Sequence, residues 1–308
     1  PTHLDRSAVD MGTARFGKVL TAMVTPFHDD GSLDLDGAAA LARWLVDQGN
    51  DGLVLAGTTG EAPTLSDDEK VELWRAVRAA VDVPLLAGAG SNDTRHTIGL
   101  SERAAETGVD GLLLVSPYYN RPTQAGLEAH FRAVAEATDL PVMVYDVPVR
   151  TGRALTVGTM VRLANEVPTI VSLKDARGNV QEAAEIVAGA PEGFDLYSGD
   201  TGLTLPLLSV GAVGVVGVST HWSAGLNADM IAAFEKGDVQ AARELNARLL
   251  PSFAVESGPT WVHTASVKAA LELLGQPAGP MRLPLAPLDD AVRGAVAEVL
   301  AGLGLARG

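Results

Sequence analysis

The chain has no cysteine and only five lysines in 308 residues, and its 23 Lys and Arg are outnumbered by 38 Asp and Glu. Without cysteine there is no disulfide, no thiolate nucleophile and no Cys-based metal site, which fits a cytoplasmic protein. A formal charge of -15 argues against nucleic acid or an anionic membrane as partner, because both need clustered cations. The six histidines show no His-Glu-x-x-His or other ligand spacing, so no metal is expected. Long apolar runs are missing too: Leu207 to Val218 is broken by Gly211, Gly214 and Gly217 and falls short of the ~20 residues that span a bilayer. Pro1 to Arg15 is mixed polar, lacks the apolar core of a signal peptide and reads as a loose extension. No segment is of low complexity.

What is present is a repeating plan. With 47% hydrophobic residues the chain can bury a large core, and its length suits one big α/β domain or two smaller ones. From Lys18 onward a β-rich apolar run, a turn and a segment of helical spacing recur. The spacing predicts strands over 19–24, 52–56, 84–89, 111–115, 141–146, 169–174, 195–198 and 213–218. Helices are expected over 37–48, 67–80, 94–106, 124–137, 157–165, 180–188 and 202–209. Ser66-Asp67-Asp68-Glu69 has capping-box spacing, and Thr123 and Asn179 stand where N-caps belong. Runs that are apolar on both faces point to a closed parallel (β/α)8 TIM barrel. A doubly wound open sheet is the alternative, but Gly88-Ala89-Gly90 continues as Ser91-Asn92-Asp93 and breaks the dinucleotide fingerprint. After Val218 only helices are expected, over 227–236, 239–256, 261–274 and 289–300, with a Pro-rich arm over 276–287. The organisation read from this is an extension over 1–15, a barrel over 16–225 and a C-terminal helical region over 226–308.

Chemistry in such barrels gathers at the C-terminal ends of the strands. Of the five lysines only Lys174 stands there, closing Val171-Ser172-Leu173-Lys174-Asp175. Lys18 begins a strand, and Lys70, Lys236 and Lys268 fall in helices. Alternation puts Ser172 and Lys174 on one face, Val171 and Leu173 on the other. A desolvated amine is neutral and can attack a ketone to form a Schiff base; a lysine at a frayed strand end, its amine in water, is the plain alternative.

A Schiff-base lysine needs a proton shuttle, donors for a carboxylate and room for a second substrate. Tyr145 closes the neighbouring fifth strand, where it also suits a barrel-mouth filler. Gly57-Thr58-Thr59-Gly60-Glu61 follows the second strand with two hydroxyls and exposed N–H groups, or is simply a polar turn. Ser116-Pro117-Tyr118-Tyr119-Asn120-Arg121-Pro122 is a rigid aromatic loop that reaches a site or an interface. Arg150 or Arg153 would clamp an anion if not merely solvated.

Taken together, the Gly57-to-Glu61 turn, the Pro117-to-Pro122 loop, Tyr145-x-x-Pro148-x-Arg150-Thr151-Gly152 and Lys174-Asp175-Ala176 resemble the dihydrodipicolinate synthase family, in order from about Lys18 to about Pro284. The resemblance implies condensation of pyruvate with aspartate semialdehyde on the route to diaminopimelate and lysine. It implies that Lys174 forms the imine and that Tyr145, Thr58 and Tyr119 relay protons, Tyr119 across a dimer interface. By the same resemblance Thr59 holds the pyruvate carboxylate, Arg150 receives that of the semialdehyde, and Gly199 and Val216 line the pocket. No metal or organic cofactor is implied, and the assembly would be a homotetramer built as a dimer of dimers.

This sequence departs from the family pattern at Asp146, where asparagine is usual, and at Val149, where a smaller residue is common. Asp146 is expected to pair with a cation or perturb Tyr145. Asn92 and Tyr118 fit the lysine-binding cleft of inhibited members, whereas Asp67, Lys70 and His96 do not, so weak or absent lysine inhibition is expected. A sialic acid lyase or keto-deoxy sugar acid aldolase resembles the chain in the same imine chemistry; Arg150 and Tyr119 favour a short charged aldehyde over a polyol. A non-catalytic binding barrel and a metal-dependent aldolase rank behind.

Overall fold

In the computed structural model, residues 14–256 and 258–305 are described. Eight short strands, β1 (Val19–Ala22), β2 (Gly52–Leu55), β3 (Leu85–Gly88), β4 (Gly111–Val115), β5 (Val142–Asp146), β6 (Ile170–Asp175), β7 (Asp195–Ser198) and β8 (Gly214–Gly217), close into one parallel barrel with β8 beside β1. The open-sheet alternative is thereby excluded. The strands are largely buried on both faces because one side meets the barrel interior and the other a layer of helices. Leu20, Val54, Leu86, Leu113, Met143, Tyr197 and Val216 fill the interior, while Leu53, Leu85, Leu112, Val144 and Leu173 pack outward.

The outer layer is α1 (Leu35–Asp47), α2 (Asp67–Arg78), α3 (Thr94–Ala105), α4 (Gln124–Ala135), a short α5 (Pro148–Thr151), α6 (Val157–Glu166), α7 (Val180–Gly189) and α8 (Thr204–Leu208). The sequence names their starts: Ser66 and Glu69 form a reciprocal capping box, and the Thr123 and Asn179 side chains accept from Gly126 and Glu182 N–H groups. The last helices are α9 (Thr220–Glu235), α10 (Val239–Glu256), α11 (His263–Leu273) and α12 (Asp290–Gly302). The expected boundary at 225/226 falls within α9, which begins at the barrel rim and kinks at Ser223. There the Ser223 hydroxyl donates to the Ser219 carbonyl at 2.8 Å, a back-bond that bends helices. Within the C-terminal helical region, α11 is buried over Thr264–Leu271.

The N-terminal mouth is plugged by Phe16, 2% exposed. Gly111 makes room for it: a Cβ there would lie 3.0 Å from the Phe16 ring. Ala14 and Arg15 donate their N–H groups to the Asp195 carboxylate at 3.2 and 2.7 Å, which ties the entry to β7. The rest of the loose extension read over 1–15 lies outside the described residues. With the bottom sealed, access to the interior is from the C-terminal rim.

Candidate active site

Register brings the key residues to one level of the rim. Lys174 on β6 pairs with Tyr145 on β5 and with Tyr197 on β7. Ser172 and Lys174 do share the interior face. Val171, however, packs against the interior cluster rather than sharing the outer face with Leu173. The register shift between Val142 and Met143 skips Val171, so a bulge breaks the alternation there.

Lys174 is 4% exposed, and its Nζ lies 4.3 Å from the centroid of the Tyr145 ring. Burial drags its amine from an ordinary 10.5 down to about 7; Glu256 opposes that shift and Arg150 adds to it. Near neutrality about half of this amine is therefore the neutral nucleophile. Gly199 is demanded by the same crowding, since a Cβ there would stand 3.0 Å from the Lys174 Cγ. Val216 is fully buried beneath, paired with Leu20.

Tyr145 is 7% exposed, and burial pushes its hydroxyl up to about 12, against the pull of Arg150 and of a hydrogen bond with the Thr58 hydroxyl. Thr58 belongs to a turn bracketed by two left-handed residues, Ala56 at φ 52° and Glu61 at φ 59°. Carbonyls of the turn are occupied: those of Gly57 and Thr58 accept from Ala62 and Glu61, that of Thr59 from Thr264 Oγ1 at 3.3 Å, and that of Gly60 from Thr25 Oγ1 at 2.6 Å. The N–H groups of Thr58 and Thr59 have no backbone acceptor among the described residues. A turn with its carbonyls engaged and two successive N–H groups without a backbone acceptor has the geometry of an anion cradle.

Arg150 rides on α5, started by Pro148 and ended by Gly152 at φ 73°. Its Nη2 lies 3.0 Å from His263 Nδ1. Arg153 is exposed and outside the cavity. A cavity of about 580 Å³ is lined by Thr58, Tyr145 and Arg150 and by Asn92, Tyr118 and Tyr119; Lys174 is not among its lining residues. Tyr119 is not drawn to Tyr145 within the chain: its side chain is 90% exposed on left-handed backbone at φ 70°. The loop is braced by Asn120 Nδ2 donating to Asn92 O at 2.8 Å and by Arg121 Nε donating to Gly152 O at 2.9 Å. The cavity is also lined by Asp67, which meets His96 Nε2 at 2.8 Å and Lys70 at 3.7 Å.

Asp146 faces outward from Tyr145 and is fully buried. It accepts from Leu155 N–H at 2.9 Å and lies 3.9 Å from Arg177 Nε. Arg177 is itself forked onto Asp175 at 2.6 and 3.0 Å. Burial pushes the Asp146 carboxyl up to about 7, and its charge acts to raise Tyr145. Both expectations for this residue are met.

Three groups near the site were not foreseen. His263 and Thr264 start α11, and Glu256 ends α10 with its carboxylate accepting from Ser219 N–H at 3.2 Å. Among the described residues no three His, Asp or Glu side chains gather as metal ligands.

The model of the Dihydrodipicolinate synthetase family matches residues 15–302. The chain is 56% identical over 274 residues, 88% of its length and 87% of the relative's, to a protein of Acidothermus cellulolyticus named 4-hydroxy-tetrahydrodipicolinate synthase. A protein of the same name from Moorella thermoacetica is 48% identical, with 94% of this chain and 99% of that one covered. Among solved structures, dihydrodipicolinate synthase of Cyanidioschyzon merolae with lysine bound superposes with a TM-score of 0.90 at 42% identity, covering 94% of this chain and 99% of that chain.

Proposed function

The chain belongs to the dihydrodipicolinate synthetase family, and we propose that the rim site around Lys174 is where it condenses pyruvate with L-aspartate 4-semialdehyde to 4-hydroxy-tetrahydrodipicolinate, in diaminopimelate and lysine biosynthesis. The observation that carries this reading is a buried amine near neutrality under the ring of a tyrosine that is itself tied to a threonine hydroxyl.

In this reading the neutral Lys174 amine adds to the pyruvate ketone, and the carbinolamine loses water to give the imine. The Thr58 and Thr59 N–H groups hold the pyruvate carboxylate. The imine acidifies the pyruvate methyl group; a proton leaves along Tyr145 and Thr58, and the enamine carbon attacks the aldehyde, whose oxygen takes a proton back. The amino group of the semialdehyde portion then attacks the imine carbon and displaces Lys174, which closes the ring and regenerates the amine. Arg150 receives the semialdehyde carboxylate through its fork of donors. Gly199 and Val216 keep the pocket narrow. No metal or organic cofactor is needed.

Tyr119 completes the relay in the site of a second copy, which makes a homodimer the smallest competent unit and a dimer of dimers the full assembly. An exposed tyrosine on braced, left-handed backbone, in a chain that also leaves Val149 86% exposed, supports that reading. The cysteine-free composition supports a cytoplasmic location; among the described residues no helix is long and apolar enough to cross a membrane.

Following both substrates by NMR tests the reaction. Equal consumption of pyruvate and semialdehyde with no turnover of aldose acceptors is expected. Turnover of a polyol aldehyde with the semialdehyde left untouched would move the chain to the sugar-acid branch.

A further inference from the structure

Arg150 is exposed and sits on a single helical turn, so nothing in its own element fixes a long, rotamer-rich side chain. What it meets is His263 Nδ1 at 3.0 Å. A guanidinium has five donors and no acceptor. Nδ1 must therefore accept, the imidazole is neutral, and its proton is on Nε2. Burial, with Arg150 and Lys174 adding to it, drives the His263 pKa to about 3, so the acceptor persists at any working pH.

His263 is also held independently of Arg150. It opens the buried α11, whose next residue, Thr264, donates to the Thr59 carbonyl at 3.3 Å. One turn on, Lys268 Nζ lies 2.8 Å from Glu61 Oε1 and donates to Pro280 O at 2.6 Å. Ser266 Oγ donates to the Glu256 carbonyl at 2.6 Å. One helix thus grips the middle and the C-terminal end of the turn that carries Thr58 and Thr59, and presents the imidazole to Arg150. The distance between the pyruvate cradle and the arginine is set by a single rigid body.

We propose that His263 is a positioning residue that fixes the Arg150 guanidinium at the reach of a semialdehyde carboxylate, and so selects a short charged aldehyde. This rests on the assignment of Arg150 to the second substrate made above. One arm of the fork is committed to His263, and the remaining donors stay free for the carboxylate.

A double-mutant cycle tests it, with steady-state kinetics in both substrates. His263→Ala should raise KM for the semialdehyde about 10-fold, the low end for a hydrogen bond to a charged group. KM for pyruvate and the yield of borohydride-trapped pyruvate adduct should stay within about twofold. In an Arg150→Met background the same change should add nothing, because the two residues act as one unit. His263→Asn, whose Oδ1 can take the place of Nδ1, should recover most of the loss. If the alanine variant does not fold, His263→Phe keeps the bulk and removes the acceptor in the same cycle. Additive losses in the cycle, or equal rises in both KM values, would overturn the proposal. Wild-type turnover of the semialdehyde separates that failure from a failure of the reaction itself.

Discussion

The Lys174 amine should titrate close to neutrality, and the rate of pyruvate imine trapping reports it directly. A lysine at its ordinary 10.5 is neutral at pH 7 in roughly 3 molecules of 10,000. Held at about 7 by burial, about half of the amine is neutral, on the order of a thousandfold more nucleophile. Two charges trim that value in opposite senses: Glu256 favours the ammonium and Arg150 disfavours it. Glu256→Gln should therefore move the midpoint below 7, by up to about one unit, the order expected of a single nearby charge. Arg150→Met should move it up. The assay is the initial rate of borohydride-trapped adduct, read by intact mass between pH 5 and 9. Below the midpoint the rate should fall about tenfold per pH unit, as the neutral fraction does, and above pH 8 it should level off. A wild-type midpoint at 9 or higher would refute the burial argument. A midpoint that rises in Glu256→Gln would refute the assignment of its sign.

Tyr145→Phe keeps the ring over Lys174 and removes the hydroxyl tied to Thr58; turnover should drop by ~100- to 10,000-fold, with Lys174→Ala worse, and near-normal kcat in Tyr145→Phe would remove the relay. Asp146 has a carboxyl pushed up to about 7 by burial, so the fold favours its protonated form: its stabilising share is full below pH 4 and is lost as pH rises towards 7. Asp146→Asn should therefore gain on wild type by a few kcal/mol over that window, and a denaturation difference that is flat from pH 4.5 to 7.5 would contradict it. Lysine should inhibit weakly or not at all, because the Lys70 ammonium already stands in the cavity with Asp67 and His96; half-inhibition by sub-millimolar lysine would show that reasoning wrong.

The barrel was legible because its signals are local. Each strand is a short apolar run and each helix start a hydroxyl or amide at the right offset, so Ser66, Thr123 and Asn179 mark their helices from sequence alone. Lys174 stood out for the same reason: position along a strand decides which face and which end a side chain occupies. Val171 escaped because a bulge depends on the register with β5, which no single strand encodes. The start of α9 at Thr220 was hidden by the apolar run of β8, and the four residues of α5 are too few for a helical period. His263, Thr264 and Glu256 were missed because their partners lie more than a hundred residues away, or in a different helix layer. A polar start on an otherwise buried helix was the one available hint.

The central claim is that pyruvate is carried as an imine on Lys174. Intact mass and peptide mapping after borohydride reduction with pyruvate, on wild type and Lys174→Ala, test it most directly. A single adduct on the peptide bearing Lys174, absent from the variant and lost when the semialdehyde is added before reductant, is the result expected. An adduct on another lysine, or none where a pyruvate aldolase control is trapped, would contradict the account.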